Sequence, residues 1–599
     1  MGSYLTDAYD GDIRCREEVL ARLVNDVRQG VHARKVMESY QTWLGEGPEL
    51  SVLRLLGLFD RPADEKVFGE LLKLPTILGL TEPLTNLSPA DWRKILTKLR
   101  RARLLAGEDP QNRGALDTHP LVREYYGGQL RSQRTEAWKE CNRRLFKYYQ
   151  ALAPQLPENI REMEPLFLAV ICGCNARLYH EALHQIYLPR IQRGSASFAA
   201  NVLGARGPLL SVLAHFFEQG RWGSLVETGV EGQNLTPQDQ LFILMQTALY
   251  LTAIRGLGAP ESRICYESAV PLCHSLNRPL DLYVALIGQW RYSLQTDKLT
   301  VTMQFAKQVF SLAKKQNDSA LMIGAYRTLA VTQYFLGDLE TARRYTMSGL
   351  DIWRSGDVQS PVEELNAPAI VCLCYKAMLE WHFGEIASCQ ATAAEAISLA
   401  KELNDKHGLA VALLFAGILG QSERSPAEVE CVASELIELS TRQNFAQWLA
   451  IGAIFRGWAR SASGDTAEGS IAWIEDGIRD YRVSGSMLFV PLWLALKAEA
   501  LHLANRTAEA IEAIKEAEAV VEKSEERTWS AELHRLRGLF LAAVGAKETQ
   551  TEAAFSAAIS TARKQKSVSL EKRAEATYAE YRRQKASGSG GRVFRLPLC

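Results

Sequence analysis

Residues Ala325–Leu350 read AYRTLAVTQYFLGDLETARRYTMSGL. Apolar residues recur at helical spacing on both sides of Gly337-Asp338, which predicts two amphipathic helices joined by a tight turn. Such a hairpin cannot bury its apolar faces alone and has to stack against others of its kind. The unit recurs. Turn residues Gly337, Gly384, Gly464, Asn505 and Gly545 each follow a small residue seven positions earlier: Ala330, Ala377, Gly457, Ala498 and Gly538. Seven residues is close to two helical turns, so the small residue shares a face with the turn end and admits a neighbouring helix. Intervals between these turns are mostly 40 to 47 residues, the period of a helix-pair solenoid. The predicted fold is all-α, with the array spanning residues 238–585.

Thr236-Pro237-Gln238-Asp239 is a good helix start and opens the array. Ser355–Asn366 and Gln421–Pro426 read as insertions into it, and the charged Ser569–Lys585 as the polar cap that a solenoid end needs. Residues 586–599, with Ser587-Gly588-Ser589-Gly590-Gly591, read as a flexible tail.

Upstream, residues 1–47 read as helical, with Asp7, Asp10 and Asp12 as an acidic start. From Pro48 an apolar helix ends near Asp60-Arg61-Pro62, Ala63–Leu72 forms a second, and Ser88-Pro89-Ala90-Asp91 opens a third. Leu104-Leu105-Ala106 and Ala115-Leu116-Asp117, on either side of a polar turn, predict a two-stranded wing. A further helix starts at His119-Pro120. Residues 48–135 thus read as a winged-helix-like module, and 136–237 as a helical adaptor between it and the array.

The segments GPELSVLRLLGLFDRPAD, LSPADWRKILTKLRRARLL and DTHPLVREYY resemble the winged-helix region of bacterial STAND-type (NB-ARC or NACHT) NTPases that carry C-terminal TPR arrays. The resemblance runs on through the repeats and covers nearly the whole chain. It implies a TPR-like α-solenoid acting as a protein-binding sensor that controls a signalling or defence effector, with an NTPase-bearing polypeptide as a further partner. The NTPase core itself has no counterpart here, because no G-x-x-x-x-G-K-[ST] loop is present. The resemblance places the nucleotide-sensing histidine of the family at His119, in Thr118-His119-Pro120, with Pro120 where the family has aspartate. The residue-level alternative is that His119 only caps a helix.

Composition bounds the rest. Lys plus Arg and Asp plus Glu are 69 each, so no global field favours nucleic acid, which is not the expected partner. No apolar run is long enough to span a membrane, and the eleven cysteines form no framework, which points to a reducing cytoplasmic setting. Cys172 and Cys174, like Cys372 and Cys374, are two residues apart and face opposite sides of a helix, so neither pair clasps a metal. His180 and His184 share a face but lack a third ligand. No nucleophile–base signature stands out, so no enzyme, cofactor or metal is expected. Tryptophans spread through the array mostly fill gaps between repeats; any on the concave side would anchor a partner. Trp290, Trp381, Arg343 and Arg344 are the candidate partner-binding residues. The alternatives are a DNA-linked transcriptional regulator using the basic helix from Pro89, and a passive scaffold.

Overall fold

The computed structural model describes residues 29–110, 112, 114–194, 197–218, 221–227, 235–356, 366–465 and 468–586. The acidic start at Asp7–Asp12, most of the Ser355–Asn366 segment and the tail from residue 587 lie outside the described residues. The chain divides into two compact units, one drawn from residues 1–216 and 226–235, the other from 217–225 and 236–599.

In the first unit, α1 (Gln29–Leu44), α2 (Pro48–Leu56), α3 (Glu65–Leu72), α4 (Pro89–Arg101) and α5 (Pro120–Gln133) precede α6 (Thr135–Leu152) and α7 (Ile160–Asn175). A short α8 (Tyr179–Glu181) runs into a π-helical stretch, Ala182–Gln192, followed by α9 (Phe198–Asn201) and α10 (Arg206–Leu213). Helix α2 is the core: Leu50, Val52, Leu53, Leu55 and Leu56 are all buried. Arg54 is buried among them because Glu46 takes two of its N–H groups, at 2.6 and 2.9 Å, and Gln129 a third, at 2.9 Å. Just past α2, Gly57 meets Gly127 of α5 so closely that a Cβ on Gly57 would lie 2.3 Å from the Gly127 nitrogen. Ser88 caps α4 by accepting from the Asp91 N–H at 3.1 Å. His119 caps α5 in the same way, its Nδ1 accepting from the Leu121 N–H at 3.3 Å.

The predicted two-stranded wing is not formed. Among the described residues the only pairing here is one isolated antiparallel bridge, Ala63 to Leu116, with one further backbone bond from Ala106 N–H to the Asp117 carbonyl at 2.8 Å. The segments that read as strands turn away too soon: Arg103 already has φ 56° and Gly114 φ 95°, so neither arm is long enough for a ladder.

The second unit is an all-α, TPR-like superhelix. Among the described residues eight antiparallel hairpins follow one another: α11/α12 (Pro237–Arg255, Pro260–Ser275), α13/α14 (Pro279–Thr296, Leu299–Gln316), α15/α16 (Ser319–Leu336, Leu339–Arg354) and α17/α18 (Pro368–His382, Ile386–Glu402) come first. Then come α19/α20 (Lys406–Ser422, Pro426–Gln443), α21/α22 (Ala446–Ala462, Glu468–Val483), α23/α24 (Val490–Leu503, Thr507–Ser524) and α25/α26 (Ser530–Ala543, Glu548–Gln565). A single helix, α27 (Val568–Ala586), ends the array. Thr236 and Asp239 form a full capping box at its start.

The two helices of a hairpin play different parts. Odd-numbered helices lie inside: in α19 every residue from Val411 to Phe415 is buried. Even-numbered ones form the outer layer and bury one stripe, as in α16 with Leu339, Ala342, Thr346, Gly349 and Leu350. Gln421–Pro426 is no insertion. Helix α19 runs to Ser422 and α20 starts at Pro426, with Arg424 at φ 58° supplying the left-handed turn that glycine makes elsewhere. Gly417 stands seven residues before it, so this is one more copy of the repeating hairpin.

The superhelix also closes on itself. Hairpins several repeats apart are tied by the Met487 N–H to the Gln295 carbonyl (2.9 Å), the Arg527 N–H to the Phe335 carbonyl (2.7 Å) and the Leu257 N–H to Gln447 Oε1 (2.7 Å). Ser569 Oγ donates to the Trp381 carbonyl, and His382 Nδ1 lies 2.8 Å from Ser567 Oγ. One apolar core therefore runs continuously from Leu249 to Tyr581.

Candidate functional site

Closure leaves a cleft on the inner side of the superhelix. Its walls are built from i, i+4 pairs, which share a helix face. Arg291 and Gln295 come from α13, Arg327 and Val331 from α15, Val371 and Tyr375 from α17, Val411 and Phe415 from α19, and Gln447 and Ile451 from α21. Leu257, Leu488 and Phe489 close it from the connections that fold back. The cleft is narrow, with a cavity volume of about 80 Å³. A narrow, mostly apolar slot of that kind suits an extended segment or a single side chain rather than a folded domain.

Polar groups along it are wired from one inner helix to the next. Trp290 Nε1 donates to Thr332 Oγ1 at 3.0 Å, and the Arg327 guanidinium sits 5.7 Å over the Trp290 ring. Arg327 reaches Asn366 Oδ1 at 3.5 Å, and the Asn366 amide nitrogen lies 3.3 Å from His407 Nδ1. Trp448 Nε1 lies 3.2 Å from His407 Nε2. An indole nitrogen only donates, so Nε2 accepts from Trp448. Gln295 Oε1, buried in the wall, has no hydrogen-bond partner among the described residues and offers an acceptor.

At the closing end, Phe489 holds a left-handed backbone, φ 66°, and its ring packs edge-on against Phe335 at 5.1 Å. Its N–H donates to both carboxyl oxygens of Glu526, at 3.2 and 3.1 Å, and Trp529 Nε1 donates to the same group at 2.9 Å. Burial pushes the Glu526 carboxyl up to about 8. Behind this lies a buried ionic knot. Arg424 reaches Glu499 at 2.7 Å and Glu532 at 3.4 Å, while Arg535 grips Glu532 twice, at 2.9 and 2.7 Å. Burial alone would raise the Glu532 carboxyl, but Arg535, Arg573 and Arg424 outweigh it and hold it well below the usual range.

The four residues expected to meet a partner do not form one surface. Trp290 lines the cleft at 4% exposure. Trp381 is buried at the seam with α27, under the Arg573 guanidinium. Arg343 and Arg344 are on the outer helix α16, Arg343 paired with Glu385 at 2.9 Å and stacked on Phe383. The small residues Ala330, Ala377, Ala498, Gly457 and Gly538 are all buried. A Cβ on Gly457 would lie 2.5 Å from the Ser470 carbonyl oxygen, and one on Gly538 2.8 Å from the Phe555 ring. His119 is exposed at its cap.

Of the four candidate partner-binding residues Trp290 lines the cleft; Trp448 was among the tryptophans spread through the array, and Arg291, Gln295, Arg327, Asn366, His407 and Gln447 were not singled out from the sequence. A signal for them existed: Asn366, His407 and Trp448 succeed one another at 41 residues, one repeat apart, so equivalent positions touch. Among the described residues no group of three His, Cys, Asp or Glu side chains is placed to hold a metal, and burial pushes the Cys172 and Cys374 thiols up. No helix of the described residues is long and apolar enough to cross a membrane.

No known protein-family profile matches the chain. An uncharacterized protein of Rhizobium meliloti (strain 1021) is 23% identical over 347 residues, 57% of this chain. The chain spans about a third of that relative's length, 33%. Among solved structures, a signal transduction ATPase with numerous domains (STAND) protein with a tetratricopeptide repeat sensor, from Pyrococcus horikoshii, is similar with a TM-score of 0.33 and 14% identity. That match covers 90% of this chain and 71% of the other. A Rap protein complexed with competence and sporulation factor is similar with a TM-score of 0.27 and 10% identity, covering 71% of this chain and 96% of the other.

Proposed function

We propose that the chain is a protein-binding sensor module, taking an extended segment of a partner protein into the inner cleft and so controlling a STAND-type signalling or defence effector. The observation that carries the reading is the cleft itself: five successive inner helices each contribute an i, i+4 pair to one slot with aromatic walls and spaced polar groups. Such a lining recognises a chain that presents apolar side chains and backbone amides together. The link to a STAND effector rests on the resemblance of the winged-helix-like and repeat segments.

The mechanism is differential contact. A segment bound in the slot touches both the inner helices and Leu488–Phe489, which belong to hairpins far apart in sequence. It therefore stabilises the closed superhelix over any more open arrangement, and only that difference shifts the population an effector reads. The test is selection of peptides from a random display library on the full chain, followed by titration of the selected peptides. Trp448→Ala should weaken binding at least tenfold, and Val371→Phe, which fills the slot, should abolish it. Peptides that bind both variants as tightly as the parent chain refute the site.

A further inference from the structure

Helix α4, in the first unit, has one basic face that the cleft does not explain. It turns Ile95, Leu96 and Leu99 inward and leaves Arg93, Lys94, Thr97, Lys98 and Arg101 exposed. Three carboxylates answer the cations at this helix: Asp91 meets Lys94 at 3.0 Å, Glu49 meets Lys98 at 2.8 Å, and Glu108 meets Arg100 at 2.9 Å. Arg93, Arg101 and Arg103 have no ion pair among the described residues. Two positive charges on α4, and a third just past its end at Arg103, thus stand without an ion pair among the described residues of a chain whose formal charge is zero. The Lys98 ammonium lies 5.4 Å over the Trp43 ring, and Trp43 and α4 form the walls of an open concavity of about 680 Å³.

We propose that this face binds the phosphate backbone of duplex nucleic acid. Arg93, Thr97 and Arg101 form a row four residues apart, and eight residues of helix rise about 12 Å. The major groove of B-form DNA is about 12 Å wide, so arginines at the two ends of the row reach phosphates on opposite strands, with Lys94 and Lys98 toward the groove between them. The exposed pairs Lys94–Asp91 and Lys98–Glu49 are worth little in water and exchange readily for phosphate. An acidic protein would be drawn by the same charge, but a stable protein interface needs an apolar centre, and the exposed face of α4 has none. A single strand would need a series of stacking platforms, and Trp43 is the one aromatic in the concavity. Balanced charge over the whole chain does not bear on this, because binding depends on the local field within about 10 Å.

The experiment is fluorescence anisotropy of a labelled duplex of about 24 base pairs with the full chain, between about 50 and about 200 mM salt. Four phosphate contacts predict a log–log salt slope of about −3.6, hence roughly 100-fold weaker binding at the higher salt. The double variant Arg93→Gln, Arg101→Gln should flatten the slope by about 1.8 and weaken low-salt binding at least tenfold. Lys314→Gln with Lys315→Gln, exposed on α14, should change neither. Both double variants are surface changes, and unchanged thermal unfolding confirms that they fold. The proposal is overturned by no binding at the lower salt or by a slope that the arginine variant leaves unaltered. It is equally overturned if single-stranded DNA or polyglutamate of matching length binds as tightly as the duplex.

Discussion

Glu526→Gln isolates the electrostatics of the seam that closes the superhelix. The carboxyl is fully buried, bonded to the Phe489 N–H and the Trp529 indole, with no ion pair among the described residues. Burial raises it to about 8, against 4.5 for the free group. A folded-state value above the unfolded one means stability that is complete below about pH 4.5 and is lost as pH rises through about 8. At about 1.36 kcal/mol per unit, the loss between pH 5 and pH 8 comes to about 3.5 kcal/mol. Glutamine keeps an acceptor for Phe489 and removes the titration. Burial drives Tyr334, Tyr375 and Tyr481 nearby further above the window, so they do not contribute. His382, which burial lowers to about 3, titrates in both proteins and cancels in the difference. The assay is urea unfolding followed by tryptophan fluorescence, to which Trp493 and Trp529 of this core contribute, with variant and parent compared at each pH from about 5 to 8. Two compact units need not unfold together, so the comparison is made on the transition that carries this signal. Parent stability should fall relative to the variant by about 3–4 kcal/mol across that range. Parallel profiles would refute a neutral buried carboxyl at the seam.

Gly457→Ala should destabilise by about 2–3 kcal/mol, since the new Cβ meets the Ser470 carbonyl, and Gly538→Ala by about 1–3 kcal/mol, since the new Cβ meets the buried Phe555 ring; thermal melts check both. Glu532→Gln leaves Arg424, Arg535 and Arg573 without their shared counter-charge, so a loss of about 3–5 kcal/mol is expected, with early proteolysis in α25–α27 as the local readout. His119→Ala should cost less than about 1 kcal/mol in a melt, because the cap it removes is long and exposed; a larger loss would mean that the imidazole supports more than α5.

The repeat was legible because its causes are local. Apolar spacing, a left-handed turn residue and a small residue seven positions before it are all dictated by the geometry of one helix and one turn, so Ala330 with Gly337 and Gly538 with Gly545 mark hairpins without reference to anything distant. Reading failed at Arg424, where a left-handed turn is made by a residue that does not advertise it, and at Leu104–Asp117, where strand-like segments are too short to pair. Which tryptophans face the cleft was beyond sequence, because Trp290 and Trp381 occupy similar inner helices and differ only in what later hairpins bring against them. The number of residues per hairpin sets the repeat, but small rotations between stacked hairpins accumulate and decide whether the ends meet. Once Met487 reaches Gln295 and Arg527 reaches Phe335, an inner face that could have stayed open becomes a core with a narrow slot, and contacts of that range exist only in three dimensions.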